Sequence, residues 1–451
     1  MKEDKNKINN NNNQKNKAIA AIIICFIIAI LTVGGVTAYN LFSGNSLSGI
    51  SILGQSTNTN LETNTTNNSS KTNTSNTTVK TVSEVTVSDN YTGTVDLSSL
   101  STSGSGVTVS GTTITISKAG TYYLTGTNDD ANIIVDAKGE EVILVLDNVN
   151  LTSKTTSVIN VVKAEQVTIY LKEGSKNTLT DASTYTVFTS ETEMEEDATI
   201  YSKADLIFAG EGSLTINANY DKAIHGKDSV QILSGTYVIT SKDDAIKGKD
   251  YVYIKDGTFT INAGGDGINS NNEEDTSLGY ITIDGGTFTI KASSDGIQSI
   301  TKLIINGGTF DITSSEGLES TLVTINGGKI TISASDDGIN ASTKSTIGTP
   351  TITINDGEIN ITMGSGDTDA LDANGNLYIN GGTVNITAQF AFDFDKEGKL
   401  NGGTVYVNGS QVTEITNSMM MGGGNMGGMQ GMQNPGEMPN MQGMPNNMRN
   451  R

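Results

Sequence analysis

G-T-F-T-I-K-A-S-S-D-G-I-Q (Gly286–Gln298), G-T-F-D-I-T-S-S-E-G-L-E (Gly308–Glu319) and G-K-I-T-I-S-A-S-D-D-G-I-N (Gly328–Asn340) are successive statements of one unit. Its opening glycine recurs at Gly212, Gly235, Gly257, Gly286, Gly308, Gly328, Gly357, Gly382 and Gly403, at intervals of 20 to 29 residues. Recurrence at that interval marks a stacked repeat architecture. Each unit carries three short strand signals. The first alternates apolar with polar, as in Phe288/Ile290, Phe310/Ile312 and Ile330/Ile332. The second is one large apolar residue after a small one: Ile246, Ile268, Ile297, Leu318, Ile339, Leu371 and Phe392. The third alternates again, as in Ile281/Ile283, Leu303/Ile305 and Val323/Ile325. Period-2 alternation over such short runs predicts half-buried strands rather than helices.

Units close on Asp284-Gly285-Gly286, Asn306-Gly307-Gly308, Asn326-Gly327-Gly328, Asn380-Gly381-Gly382 and Asn401-Gly402-Gly403. Asn-Gly also suits hairpins, since both residues tolerate positive φ. Three brief strands per unit are too few for a propeller blade, and the units are too alike for a sandwich. The expected fold is all-β: a single-stranded parallel β-helix, each coil burying its Ile and Phe against those of the next.

Composition agrees. The 451 residues include 51 Gly, no Trp and one Cys. One cysteine cannot form an internal disulfide. A net charge of −21, with Arg449 and Arg451 the only arginines, argues against nucleic-acid binding, which needs cations to neutralise phosphates.

Residues 1–17 are polar and lysine-bearing, and read as a cytoplasmic N-terminus. Residues 18–42 hold an apolar run long enough to span a bilayer. Lysines precede the run and none follows until Lys71, which orients the rest of the chain outward. The segment is a signal anchor, or a signal peptide cleaved after Ala38. Cys25, mid-segment behind bulky Ile24, is a poor lipidation site. Residues 43–80, rich in Asn, Thr and Ser, are expected to be a disordered tether. Residues 81–130 read as an N-terminal β cap and 131–415 as the β-helix. Residues 416–451 form a Met/Gly-rich tail whose thioethers suit Cu(I), but low-complexity disorder is the better reading.

The middle strand concentrates the polar chemistry. Before the small residue stand Lys222, Asp244, Asp266, Asp295, Glu316, Asp337 and Asp369; three residues on stand His225, Lys247, Asn269, Gln298, Glu319, Asn340, Asp372 and then Asp393. In register, equivalent residues would lie about 4.8 Å apart. A carboxylate column at that spacing must shift its pKa values, be neutralised by neighbours, or hold a cation. Several adjacent hard oxygens are what Ca²⁺ requires. The densest acids are Asp367, Asp369, Asp372, Asp393 and Asp395, reinforced by Glu316, Glu319, Asp336 and Asp337. For Asp266 or Asp295 alone, side-chain-to-backbone bonding within an Asp-Gly turn explains the residue as well. His225 reads as a solvated repeat position, and the many carboxylates are too numerous to single out a glycosidase-like pair.

The order D-D-A-I-K-G-K (Asp243–Lys249), G-D-G-I-N (Gly265–Asn269), S-E-G-L-E (Ser315–Glu319), D-D-G-I-N (Asp336–Asn340) and D-A-L-D-A-N-G (Asp369–Gly375), set between N-G-G-T turns, resembles one family. It is the bacterial extracellular carbohydrate-binding β-helix family once catalogued as a domain of unknown function, pectate-lyase-like in fold. The resemblance covers roughly residues 110–415, with Ala119–Gly126 upstream. It implies a right-handed helix, bound calcium, and a plant cell-wall polysaccharide partner such as polygalacturonate or cellulose. The implied calcium ligands fall among Asp337, Asp369, Asp372 and Asp393, with Phe390 replacing the acid of the last coil. Lys247, Lys249, Asn269, Gln298 and Asn340 are the candidate carbohydrate contacts.

The expected function is thus a monomeric, membrane-anchored, extracellular polysaccharide-binding protein using Ca²⁺. Protein-bound calcium would turn the repulsion between this acidic chain and a uronate polymer into attraction. The alternatives are a calcium-dependent polysaccharide lyase, with Lys247 as the base, and a structural surface protein or adhesin. Acids beside Lys247 would raise its pKa and weaken it as a base.

Overall fold

The computed structural model describes residues 84–186, 196–366 and 368–417. The described residues form strands and turns with no α-helix among them, hence no helix able to cross a membrane. The anchor reading of 18–42, the flanking 1–17 and 43–80, nearly all of the 416–451 tail, and Asp367 lie outside the described residues.

Strands stack in parallel along three ladders. One contains Thr258–Ala263, Thr287–Ala292 and Thr309–Ser314; the next contains Ile268–Ser270, Asp295–Ser299 and Glu316–Ser320; the last contains Tyr280–Ile283, Lys302–Ile305 and Leu322–Ile325. The chain visits the three in turn and then climbs one coil, which makes a parallel β-solenoid. The first and last ladders merge into one sheet at the long strand Glu141–Thr152, which pairs with Gln166–Leu171 and then with Lys176–Thr180. The middle ladder is a separate sheet. Parallel pairing runs from Gly93–Asp96 on Gly120–Asn128 to Thr383–Thr387 on Thr404–Val407. Antiparallel hairpins fold back at both ends: Gly93–Asp96 with Ser101–Gly104, Val107–Ser110 with Thr113–Ile116, and Thr404–Val407 with Ser410–Val412.

Every apolar residue read as inward-facing is buried, and like residues stack. The rings of Phe259, Phe288 and Phe310 lie nearly parallel with successive centroids 4.6 Å apart, and Tyr237 extends the stack at 5.0 Å. Such registered packing removes a continuous apolar column from water and fixes the phase of each coil, because a one-residue slip would turn every Phe and Ile outward. The Asn-Gly turns stack too. The side-chain amides of Asn306, Asn326, Asn355, Asn380 and Asn401 each donate to the preceding rung at 2.7–2.8 Å, beginning on Asp284. The glycine that follows is needed at Gly286, where φ is +108° and a Cβ would lie 3.0 Å from the Phe288 ring.

Candidate functional site: an acidic wall on the middle ladder

The small residue beside each wall acid is a packing requirement. A Cβ on Gly296 would come 2.4 Å from the Ile312 side chain and 2.6 Å from the Gly317 carbonyl. Each wall acid therefore sits on a backbone pressed against the core, held to its rung. The register runs Tyr201, His225, Lys247, Asn269, Gln298, Glu319, Asn340, Asp372, Asp393, in the order the spacing predicted. Beside it, Asp295 pairs with Glu316 and Asp369 with Phe390.

Some of these carboxylates staple the coils. Oδ1 of Asp244, Asp266 and Asp337 accepts the backbone N–H of Asp266, Asp295 and Asp369, one coil further on, at 3.0, 3.0 and 3.2 Å. The other oxygen faces along the wall. Asn269 donates to Asp266 and, at 3.2 Å, to Gln298; Gln298 donates to Asp295 and, at 3.0 Å, to Glu319; Asn340 donates to Glu316 at 3.1 Å.

Charge compensation divides the wall. Its first coils supply their own cations. Lys222 Nζ lies 2.9–3.3 Å from Asp243, Asp221 and Asp197, which together hold its pKa high despite burial. Lys247 pairs with Asp244 at 3.0 Å, and Lys249 reaches Glu274 at 3.3 Å from outside the wall column. His225 departs from expectation: it is buried, bonded through Nδ1 to Asp197 at 2.5 Å and packed edge-on to Tyr201. The cause is Asp197, which precedes the first motif and offers the ring a half-buried acceptor.

Further along, acids outnumber cations. Burial, reinforced by repulsion from Asp266 and Glu319, pushes Asp295 up to about 7. Burial with Glu319 and Asp295 pushes Glu316 up to about 8. Asp372 rises to about 7 through burial and then Asp337, Asp393 and Asp369; Asp337 rises to about 6, chiefly through burial. Asp393 accepts from Asn417 at 2.8 Å, and Asp395 is exposed at the edge.

Among the described residues, the trio whose ligand oxygens all approach within 4.8 Å of one another is Asp295, Glu316 and Glu319. It contains two of the predicted ligands and lies upstream of the densest run of acids. Glu319 also accepts from Lys344 at 2.6 Å and Ser342 at 2.8 Å. Sequence reasoning left Asp295 to turn chemistry and missed Lys344. The signal for Lys344 was the 29-residue interval from Gly328 to Gly357, which holds an extra loop after the middle strand. A hard cation fits this trio. All its donors are carboxylate oxygens, and the buried Oδ1 of nearby Asn340 has no hydrogen-bond donor while its amide nitrogen serves Glu316.

A parallel β-solenoid with a ladder of acids and amides along one sheet defines an elongated binding surface rather than an enclosed pocket. A model of the carbohydrate-binding domain-containing protein family matches residues 110–367 and 315–414, more than half of the chain, and the chain belongs to that family. A carbohydrate-binding domain-containing protein of Acetivibrio thermocellus is 38% identical over 135 residues, 30% of this chain and 47% of that protein. The chain thus spans about half the length of the curated relative it matches. Among solved structures, the polysaccharide lyase-like protein from C. thermocellum, in its gadolinium derivative, is similar with a TM-score of 0.50 and 33% identity, over 53% of this chain and 99% of that one.

Proposed function

We infer that this protein binds a cell-wall polysaccharide through Ca²⁺ held on the acidic wall, the acidic polygalacturonate being the first choice and neutral cellulose the second. The observation that carries the reading is the half of the wall where acids outnumber cations, from Asp295 to Asp393, with the close trio Asp295, Glu316 and Glu319 at its head and Lys344 on Glu319 as its cation. Calcium would supply the positive charge that lets uronate oxygens approach carboxylates. The wall residues would orient it: Asp337, Asp369, Asp372 and Asp393 offer further oxygens up the same face, with Asp395 exposed beside them. Lys247, Lys249, Asn269, Gln298 and Asn340 are the polar groups on or beside this face for sugar hydroxyls and carboxylates. The coil is read as right-handed and the protein as a monomer, displayed outside the cell on the anchor at 18–42.

Binding is favoured over cleavage by the placement of Lys247. A base for proton abstraction must point its nitrogen at the substrate, whereas Lys247 Nζ is turned onto Asp244 Oδ2 at 3.0 Å. Titration calorimetry of the full chain with oligogalacturonate, with calcium and then with EDTA, tests the reading, with absorbance of the unsaturated product followed on the same samples. Calcium-dependent binding without an absorbance rise is the expected result. A rising absorbance would make the protein a lyase and direct attention to Lys247. Binding in neither buffer would leave a structural role.

A further inference from the structure

The corner between the first and middle ladders carries an aromatic feature that the acidic wall does not use. Among the described residues the exposed large apolar side chains are Tyr220, 37% exposed, and Val238. Tyr220 lies between the strands Ser213–Asn217 and Lys222–Gly226, immediately beside the wall's first rungs. Its ring stacks on that of Tyr185, with centroids 4.1 Å apart and planes inclined by 16°.

The support beneath it is rigid. Tyr185 is buried, and its hydroxyl lies 2.8 Å from Asp181 Oδ2 and 2.9 Å from the Ala198 carbonyl. Asp181, 3% exposed, also accepts the backbone N–H of Asn219 at 2.6 Å, while Asn219 Nδ2 donates back to the Asp181 carbonyl at 3.0 Å. The turn that presents Tyr220 is therefore pinned on its N-terminal side, and its ring rests on a fixed ring. Fixing an aromatic in one orientation before a ligand arrives removes most of the ordering cost of binding.

The same corner continues along the solenoid. Asn217 aligns in register with Thr240, Asn262 and Lys291, so the corner at Ser293 lies three coils beyond that at Tyr220, about 14 Å at the usual strand spacing. There it opens into a groove of about 480 Å³ whose lining mixes the hydroxyls of Ser293, Ser315 and Ser335 with the apolar side chains of Ala292, Ala334 and Met363. An exposed aromatic face aligned with a groove of mixed hydroxyl and apolar lining matches a polymer whose units have an apolar face and a polar rim.

We propose that Tyr220, held on Tyr185, is a pyranose-stacking subsite at one end of a sugar track along this corner. The aromatic face takes the C–H face of one pyranose ring, and the groove takes hydroxyls of units further along the same chain. The proposal rests on the carbohydrate-binding reading above but locates a contact that needs no metal ion.

The test is titration calorimetry of the full-length chain and its Tyr220→Phe, Tyr220→Leu and Tyr220→Ala variants, using oligogalacturonate and cello-oligosaccharide in calcium buffer. Melting temperature is recorded as a folding control. Tyr220→Phe should bind like wild type, because stacking uses the ring and not the hydroxyl. Tyr220→Leu keeps Tyr185 covered yet lacks a π face, and should weaken binding about tenfold, as should Tyr220→Ala. Wild-type affinity in the folded Leu variant overturns the platform while leaving carbohydrate binding intact. Equal losses in the Phe and Leu variants overturn it too, since they would make the hydroxyl the contact. A wild-type chain that binds neither sugar overturns the carbohydrate reading itself, and the subsite with it.

Discussion

Replacing Glu316 by glutamine should change stability in opposite directions depending on whether a divalent cation is present. In the metal-free protein, Asp295 and Glu316 are driven up to about 7 and about 8 by burial and by the acids around them. An acid whose folded pKa lies above its unfolded value binds more protons folded than unfolded. Its stabilising contribution is therefore full below the unfolded value, near 4, and is lost as pH rises through 7 to 8. For Asp295 alone, a rise from 3.8 to about 7 corresponds to about 4 kcal/mol. Glu316 shares the same repulsion, so the two do not add, and a few kcal/mol is the ceiling for the pair. About 1.6 kcal/mol of this is already lost below pH 5, so at about 2 °C per kcal/mol for a chain of this size the Tm of wild type in EDTA should fall by roughly 5 °C between pH 5 and pH 8.

Glu316→Gln removes one charge while keeping an oxygen for Asn340, which donates to Glu316 at 3.1 Å. In EDTA at pH 8 the variant should melt above wild type, and at pH 5 the two should coincide. Calcium at about ten thousand times its Kd adds about 5.5 kcal/mol to wild type, more than the repulsion that the substitution relieves, and should add much less to the variant, so their order reverses. Differential scanning calorimetry across pH 5 to 8, with EDTA and with calcium, reads all of this. A wild-type Tm that stays flat or rises with pH in EDTA refutes the reasoning, as does a variant less stable than wild type at pH 8 without calcium.

Lys222→Met leaves Asp197, Asp221 and Asp243 around a buried site with no cation and should cost about 3–5 kcal/mol, read as a lowered Tm; a shift of under a degree would show that the cluster is neutralised otherwise. Phe288→Ala empties the middle of a ring stack spaced at 4.6 Å on both sides and should cost about 3–5 kcal/mol, whereas Phe288→Leu should recover most of it in the same melt. Asn326→Ala breaks two exposed rungs of the asparagine ladder, one donated to Asn306 and one accepted from Asn355, and should cost only about 1–2 kcal/mol; a larger loss would mean that the ladder, not the core, sets the register.

The three strand positions and the order of the wall residues were legible because each coil restates its phase. Ile268, Ile297, Leu318 and Ile339 are all buried and in mutual register, so a residue's distance from the nearest of them fixes its place on the wall. Charge compensation was not legible in the same way. Lys344 meets Glu319 across an inserted loop, and Asp197 meets Lys222 and His225 from outside the repeating motif. These contacts belong to irregular segments that no period constrains. The Tyr185–Tyr220 stack is of the same kind, since Tyr185 stands between two regular strands rather than in a repeat slot. Acid density pointed toward Asp367–Asp395, whereas proximity depends on which oxygens converge across coils, and that singled out Asp295, Glu316 and Glu319.

The hairpins at the two ends of the solenoid bear on how such a stack terminates. A stack of parallel strands in register, with rings over rings and asparagines over asparagines, is the geometry by which cross-β fibrils elongate, each end offering a template to the next molecule. Here the terminal strand Thr404–Val407 is paired with Ser410–Val412, and Gly93–Asp96 is paired with Ser101–Gly104, each hairpin running antiparallel to the stack. A strand of reversed polarity offers the wrong hydrogen-bond pattern to an incoming parallel coil, so along this ladder the parallel register stops at a hairpin on either side. Among the described residues, the number of rungs in that ladder is therefore written into the chain itself.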